Sequence, residues 1–235
     1  MAALWQHRAL SPAQPRPSWQ VRFEDHWELR RRGVPPPKDP NWRALYALKP
    51  FQRNLLQNPN PEGLSTSEPA PPCPPKAPWM LLNPQGTFKG WQISTEPLPV
   101  GKEATLPHYS WSVKQQRIDL LAEGLWEELL DLYQPNITIM DWYENSKLAS
   151  CVYQLHVQLL GTDQVTVIGE FHHVAQEGDQ GGANKNWHHV SHVFERYSPG
   201  VRFVHFLHKT KDAESPSGYH RTRATDSSVS VQLRD

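Results

Sequence analysis

Cysteine is scarce in this sequence, with only two residues, Cys73 and Cys151, among 235. A small secreted domain held together by disulfides carries more cysteines, usually in an even number at regular spacings. Two free thiols in a reducing compartment are the simpler interpretation. We therefore expect a cytoplasmic protein.

Long apolar runs are also absent, since no stretch approaches the roughly 20 apolar residues that a helix needs to span a bilayer. The first 16 residues contain no apolar signal core and are interrupted by Pro12 and Pro15. We therefore expect neither a transmembrane span nor a signal peptide.

No excess of charge of one sign is present, because 24 Lys and Arg residues balance 24 Asp and Glu residues. The tightest basic run is Arg30–Arg31–Arg32, which we interpret as solvated surface. A neutral chain gives no electrostatic reason to expect nucleic acid or an anionic membrane as the main partner.

Motifs of catalysis are missing as well: the sequence has no P-loop, dinucleotide-binding glycine fingerprint, nucleophile elbow or HExxH motif. Twelve histidines are present. His189 and His192, three residues apart on a predicted strand, would point to opposite faces and could not share a metal ion. We therefore expect a non-enzymatic protein with no metal and no cofactor.

Proline is abundant, and most of the 23 prolines fall before residue 100. They interrupt the first forty residues and form an extended polyproline-type tract at residues 68–75. We expect a proline-rich arm at residues 1–41 and a main domain at residues 42–235. Residues 19–33 of the arm allow two interpretations, a short helix packed on the main domain or a free, partly disordered segment.

Beyond residue 105 apolar and polar residues alternate with a period of two, which is typical of half-buried strands. On one such strand Leu155 lies on the predicted core face. The alternation predicts six strands, near residues 137–142, 151–159, 164–174, 189–194, 201–208 and 228–233. Short strands at regular spacing predict an antiparallel β-sandwich or barrel.

One helix is predicted between the strands, over Leu120–Leu132, where leucines recur at helical spacing and glutamates take the other face. Asp119 is the predicted N-cap, and Pro135 follows the predicted end. We expect this helix to cover an edge or an end of the sandwich.

Several segments of the main domain share a pattern with a known family. Residues 50–59 read PFQRNLLQNP, residues 118–131 read IDLLAEGLWEELLD, residues 199–203 read PGVRF and residues 226–229 read DSSV. Together they resemble the F-box-associated domain family, over about residues 42–235. The resemblance implies a mainly β fold, a ten-stranded antiparallel sandwich of the jelly-roll, galactose-binding-like type, with one or two short helices.

The resemblance also implies partners. In better-known relatives this domain binds the inner core of high-mannose N-glycans, and a preceding F-box docks on the adaptor of a cullin ubiquitin ligase. Residues 1–50 lack the leucine-proline entry and the three leucine-rich helices of an F-box. We therefore do not expect this segment to bind the adaptor.

The glycan-binding loop of those relatives carries Tyr-Trp-Lys before a glycine. Here Ser215, Pro216 and Ser217 precede Gly218, so the aromatic face and the cationic donor are both missing. Tyr109 corresponds to a pocket phenylalanine of the relatives. Tyr219 lies beyond the glycine, and a pocket rebuilt from Tyr219, His220 and Arg221 is the rival hypothesis.

These observations predict a recognition module that binds a protein partner of unknown identity through its end loops, without binding N-glycans. The resemblance leaves two alternatives open. One is a cell-surface receptor of non-specific cytotoxic cells. The other is a glycoprotein-binding ubiquitin-ligase receptor that acts in degradation from the endoplasmic reticulum.

Overall fold

The architecture comes from a computed structural model, which describes residues 17–62, 88–97, 109–144, 153–175, 187–215 and 218–234. Cys73, Cys151 and the proline tract at residues 68–75 lie outside the described residues.

Two antiparallel sheets form the body of the molecule. The larger sheet has the order β1-β2-β7-β4-β5, with β8 paired to β7, and the smaller sheet has the order β6-β3-β9. The strands are β1 Gln92–Pro97, β2 Tyr109–Asp119, β3 Asn136–Glu144, β4 Tyr153–Leu160, β5 Val167–Val174, β6 Trp187–Phe194, β7 Phe203–Ser215, β8 Gly218–Arg221 and β9 Ala224–Gln232. This confirms the predicted mainly β, antiparallel sandwich of the jelly-roll type. Nine strands lie in the described residues, where the resemblance implied ten.

The core lies between the sheets and follows the predicted alternation. On β3, Ile137 and Ile139 are fully buried. On β4, Leu155 and Val157 are fully buried, which confirms the core face predicted for Leu155. Both strands alternate buried and half-buried residues along most of their length, so each sheet turns one face inward.

The strand ends define two poles of the sandwich. At one pole β2 begins opposite Ala213, β3 ends opposite Trp187 and β9 begins opposite Tyr143. We call this pole the loop end, because the connections from β1 to β2, β3 to β4, β5 to β6 and β7 to β8 leave the sheets there. The other pole, where β3 begins and β9 ends, is called the opposite end.

Two helices precede the sheets, α1 at Trp19–His26 and α2 at Trp42–Leu48. Phe23 of α1 is fully buried, and its ring lies 6.3 Å from that of Trp126. The first of the two interpretations of residues 19–33, a short helix packed on the main domain, therefore agrees with the structure.

The predicted continuous helix over Leu120–Leu132 is wrong. Asp119 does cap a turn, accepting hydrogen bonds from the backbone N–H groups of Leu121 and Ala122. The turn ends at Gly124, whose φ of +93° belongs to the left-handed region that favours glycine. The N–H groups of Gly124 and Leu125 bond back to Leu121 and Leu120, the pattern of a Schellman C-cap. A separate π-helical turn follows at Leu129–Tyr133.

Further differences concern strands, since β1, β2 and β8 were not predicted and β7 runs to Ser215 rather than ending near residue 208. β2 was missed because Lys114 and Gln116 are buried at inward positions where the period-two pattern expects apolar residues. β5 begins at Val167 rather than at residue 164. The Asp163 carboxylate accepts hydrogen bonds from the backbone N–H groups of Val165 and Thr166 and holds a turn there.

Candidate functional site

The predicted loop residues gather at the loop end of the larger sheet. The backbone of Tyr109 pairs with Ala213 of β7, while Ser215 pairs with Gly218 and Tyr219 with Glu214. Tyr109 and Tyr219 therefore flank β7 from opposite sides. Pro216 and Ser217 lie outside the described residues.

A buried ion pair fixes the hairpin that carries Tyr219. Arg223, just after β8, donates from Nε and Nη2 to the two carboxylate oxygens of Glu144, at 3.0 and 2.7 Å. The Arg223 backbone N–H donates to the same carboxylate, and the Glu144 N–H donates to the Arg223 carbonyl. Bidentate charge-assisted contacts of this kind are strong and directional, so the end of β3 sets the position of the β8–β9 connection.

Stacked rings fill the space between the sheets next to this pair. The rings of Tyr143 and Tyr153 lie 4.1 Å apart and nearly parallel, at 10°. His188 stacks against Tyr143 at 4.9 Å. Both tyrosines are buried, so the stack is a rigid base for the loop end rather than an open binding surface.

A fully buried carboxylate, Asp141 of β3, lies below the stack. Ser227 Oγ donates to it at 2.8 Å, His208 Nδ1 lies 2.7 Å from it, and the Tyr153 hydroxyl donates as well. A carboxylate accepts only, so His208 Nδ1 carries the proton in this contact. Burial, reinforced by the Asp141 charge, raises the pKa of Tyr153 well above its ordinary value. The hydroxyl therefore stays protonated and keeps donating.

Ser227, Asp141 and His208 are the residue types of a hydrolase triad, but their order differs. In a triad the imidazole contacts the serine and the carboxylate orients the imidazole. Here the Asp141 carboxylate lies between Ser227 and His208, one oxygen toward each. All three side chains are fully buried. The arrangement cross-links β3, β7 and β9 and does not activate Ser227 as a nucleophile.

A second buried ion pair extends this polar interior. Lys114 Nζ lies 2.9 Å from Glu62 Oε1, and each side chain is only 1% exposed. Lys114 faces His208 across β2 and β7. The ring of Trp91 stacks on His208 at 5.2 Å, and its Nε1 donates to the Asn58 carbonyl. These contacts tie the segments around residues 58–62 and 88–91 to the larger sheet.

Sequence reasoning did not single out Asp141, His208, Lys114 or Glu144. For Asp141 a signal was present, because it follows Ile137 and Ile139 in the inward phase of β3. A charged residue at a core position needs a partner, although its partners on other strands cannot be identified from sequence.

The segments that carry the family resemblance have structural roles. Asn54 Oδ1 accepts the backbone N–H of Val229 and its Nδ2 donates to the Ser227 carbonyl, so residues 52–55 dock along β9. Arg202 makes a bidentate pair with Asp131 at 2.8 and 2.7 Å, and the N–H of Gly200 bonds to the same carboxylate. The Arg202 guanidinium lowers the pKa of Asp131 below its ordinary value.

The histidines do not converge on one point in the described part of the chain. His189 packs against Trp142 at 4.4 Å, whereas His192 stacks on Phe171 at 4.5 Å. Across the six described stretches, no three His, Cys, Asp or Glu side chains are grouped to hold a metal ion. None of the helices in those stretches has the length and hydropathy needed to cross a membrane.

Comparisons of this sequence with protein families and with individual proteins point to the same family. Residues 46–231 match the family described as F-box associated region. F-box only protein 50 from Homo sapiens is 52% identical over 211 residues, which cover 90% of this chain and 73% of that protein. F-box only protein 50 from Danio rerio is 42% identical over 229 residues, covering 91% and 95%. F-box only protein 2 from Bos taurus is 34% identical over 230 residues, covering 92% and 71%.

Proposed function

Since this chain belongs to the F-box associated region family, we propose that it is a non-enzymatic, cytoplasmic recognition module that binds a protein partner through its loop end. The observation that carries the proposal is the construction of that pole. Rigid buried contacts, above all Glu144–Arg223 and the Asp141 network, hold the strand ends from which the connections of the loop end leave the sheets. Binding residues are typically found on loops held by such a scaffold.

We propose that the loop end binds a protein rather than an N-glycan. Glycan recognition in a solvated loop needs an aromatic plane against the sugar and a few fixed hydrogen bonds. Ser215, Pro216 and Ser217 provide no aromatic ring and no cation. Losing a hot-spot aromatic residue typically costs about 2 kcal/mol or more of binding free energy. A loss of this size would abolish the binding of a glycan that is held only weakly.

The N-terminal segment supports a further part of the proposal, that residues 17–50 do not bind the cullin-ligase adaptor. Phe23 is buried against Trp126, and the ring of Trp27 lies 5.1 Å from that of Phe51. These aromatic side chains pack on the sandwich and are not available to form a separate three-helix domain. Calorimetry of this chain with purified adaptor is expected to give no heat at micromolar concentrations, and a micromolar complex would refute this part.

A paired-variant capture experiment tests the loop end. Ser215→Arg adds a charge where β7 ends, at the loop end. Leu132→Arg adds the same charge at the opposite end, where Leu132 is 72% exposed. Proteins recovered from cells with the wild-type chain and with Leu132→Arg, but not with Ser215→Arg, are the expected partners. Equal recovery by both variants, with unchanged melting temperatures, would place the binding surface elsewhere.

A further inference from the structure

Strand β5, at Val167–Val174, forms an open edge of the larger sheet. It is the last strand in the order β1-β2-β7-β4-β5 and, within the described residues, pairs only with β4. Val167 and Val174 are 45% and 37% exposed, and Val165 in the turn before the strand is 76% exposed. A strand edge with exposed valines therefore lies on the surface of the molecule.

Two other edges of the sheets have features that block an added strand, which β5 lacks. Residues 52–55 lie along β9, with hydrogen bonds from the N–H groups of Gln52 and Leu55 to its carbonyls. β1 ends at Pro97, which has no N–H to donate. The sequence has no Pro, Lys or Arg over residues 164–175, and a register shift near the start of β5 is the irregularity in its pairing with β4. The residues that usually protect an edge strand are therefore missing from β5.

The backbone of β5 has hydrogen-bonding groups on the open edge. In an antiparallel ladder, alternate residues bond to the neighbouring strand and the residues between them point away from it. The Ala175 N–H donates to the Tyr153 carbonyl at 3.0 Å, so the odd-numbered residues from 169 to 175 face β4. The N–H and C=O groups of Glu170, His172 and Val174 therefore face outward and bond to none of the described residues. An added strand would satisfy these groups.

The residues along the open edge are complementary to themselves when the strand is reversed. They are Ile168 at the register shift, followed by Glu170, His172 and Val174. When a second β5 runs antiparallel with Phe171 at the centre, Glu170 lies opposite the His172 of the second copy, and Ile168 lies opposite Val174. Each pair then occurs twice by symmetry. Acid–base pairs and apolar pairs directly across an antiparallel ladder stabilise it.

Glu170 is able to accept the additional contact. Its side chain is 59% exposed, and it accepts from His156 Nε2 and Gln158 Nε2 at the long distances of 3.3 and 3.4 Å. The hydrogen bonds from His156 and Gln158 lower the pKa of the Glu170 carboxyl below its ordinary value. An ionised carboxylate has about four acceptor positions, and an imidazole donates to it in both the neutral and the charged form. The His172 of a second copy therefore finds an acceptor on Glu170.

We propose that two copies of this chain associate through β5, as antiparallel neighbours in one continuous sheet about a two-fold axis. Phe171 stacks on His192 of β6 at 4.5 Å and stays in this contact when the edge pairs. Pairing through one strand of eight residues buries little surface, so the dimer is expected to dissociate on dilution. The contact lies at the side of the sandwich and does not depend on the proposed function of the loop end.

Sedimentation equilibrium of the full chain over a series of concentrations tests the proposal. The average mass is expected to rise from that of one chain toward that of two. His172→Glu places two carboxylates opposite each other in each pair, and we expect it to weaken the dimer roughly tenfold or more. His189→Glu makes the same change at an exposed histidine of β6 and should leave the dissociation constant unchanged.

A charge exchange tests the register of the two strands. Combining His172→Glu with Glu170→Lys again places opposite charges across the ladder, so the double variant should recover the wild-type dissociation constant to within a few-fold. Equal melting temperatures of all variants establish that each is folded. A mass that stays at that of one chain up to about 1 mM, a dimer that His172→Glu leaves intact, or a double variant no tighter than His172→Glu alone would overturn the proposal.

Discussion

At the scale of single residues, buried charge organises the interior near the loop end. Asp141 accepts hydrogen bonds from three strands, and its neighbours Tyr153, His208 and Ser227 have no access to solvent. Removing one partner of such a network leaves the other polar groups without a hydrogen bond. Water cannot reach these buried groups to replace the lost partner.

Asp141→Ala is therefore expected to lower the free energy of unfolding by about 3–5 kcal/mol, as for other broken buried charge contacts. Chemical denaturation followed by tryptophan fluorescence measures this. Asp25→Ala, at an exposed position of α1, is the control and should change stability by less than about 0.5 kcal/mol. A similarly small effect of Asp141→Ala would show that the network does not contribute to the free energy of unfolding.

Asp163 provides a pH-dependent prediction. Hydrogen bonds from the Thr166 side chain and from the backbone of Val165 and Thr166 lower the pKa of its carboxyl to about 2. Because the folded pKa lies below the unfolded one, the contribution to stability is present above the unfolded pKa and is lost as the pH falls toward 2.

An NMR titration of the side-chain carboxyl carbon should give a midpoint near 2 in the wild type. Thr166→Val, which removes the largest of these hydrogen bonds, should move the midpoint upward. A wild-type midpoint close to the ordinary value of about 4 would contradict the turn geometry.

At the scale of elements, one glycine separates a turn from the π-helical turn that follows. Gly124 has a φ of +93°, and a Cβ there would meet Leu48 Cδ1 at 3.1 Å. Gly124→Ala is expected to cost about 1–2 kcal/mol of stability, because an alanine is strained in the left-handed region. Gly161→Ala is the matched control, since its φ is not positive and its nearest neighbour would lie at 3.5 Å. Equal effects of the two substitutions would contradict this account of the helix break.

Sequence patterns predicted those elements whose buried face is apolar. The alternation around Leu155 placed β4 and its core face correctly. β2 was not predicted because the side chains of Lys114 and Gln116 point into the interior. Their ion-pair and hydrogen-bond partners lie in residues 57–62, far away in the sequence. The helix prediction failed at Gly124, because leucine periodicity was given more weight than a glycine that favours a left-handed conformation.

At the scale of the whole molecule, the loop end and the open edge of the sandwich differ in construction. The loop end has a rigid, buried base of rings and ion pairs under its connections, whereas the open edge is the backbone of β5 at the end of the larger sheet. The backbone brings Tyr109, Ser215 and Tyr219 to the loop end as a group. The resemblance in sequence could identify this pole, but the open edge depends on the order of the strands and is visible only in the structure.

The central claim is that the loop end recognises a protein and has no N-glycan pocket. A glycan array, with a glycan-binding relative as positive control, tests this claim most directly. The predicted result is no selective binding to high-mannose glycans by this chain, because Ser215, Pro216 and Ser217 offer the sugar neither an aromatic ring nor a cation. Selective high-mannose binding that Tyr219→Ala abolishes would contradict the account and show that Tyr219, His220 and Arg221 rebuild the pocket.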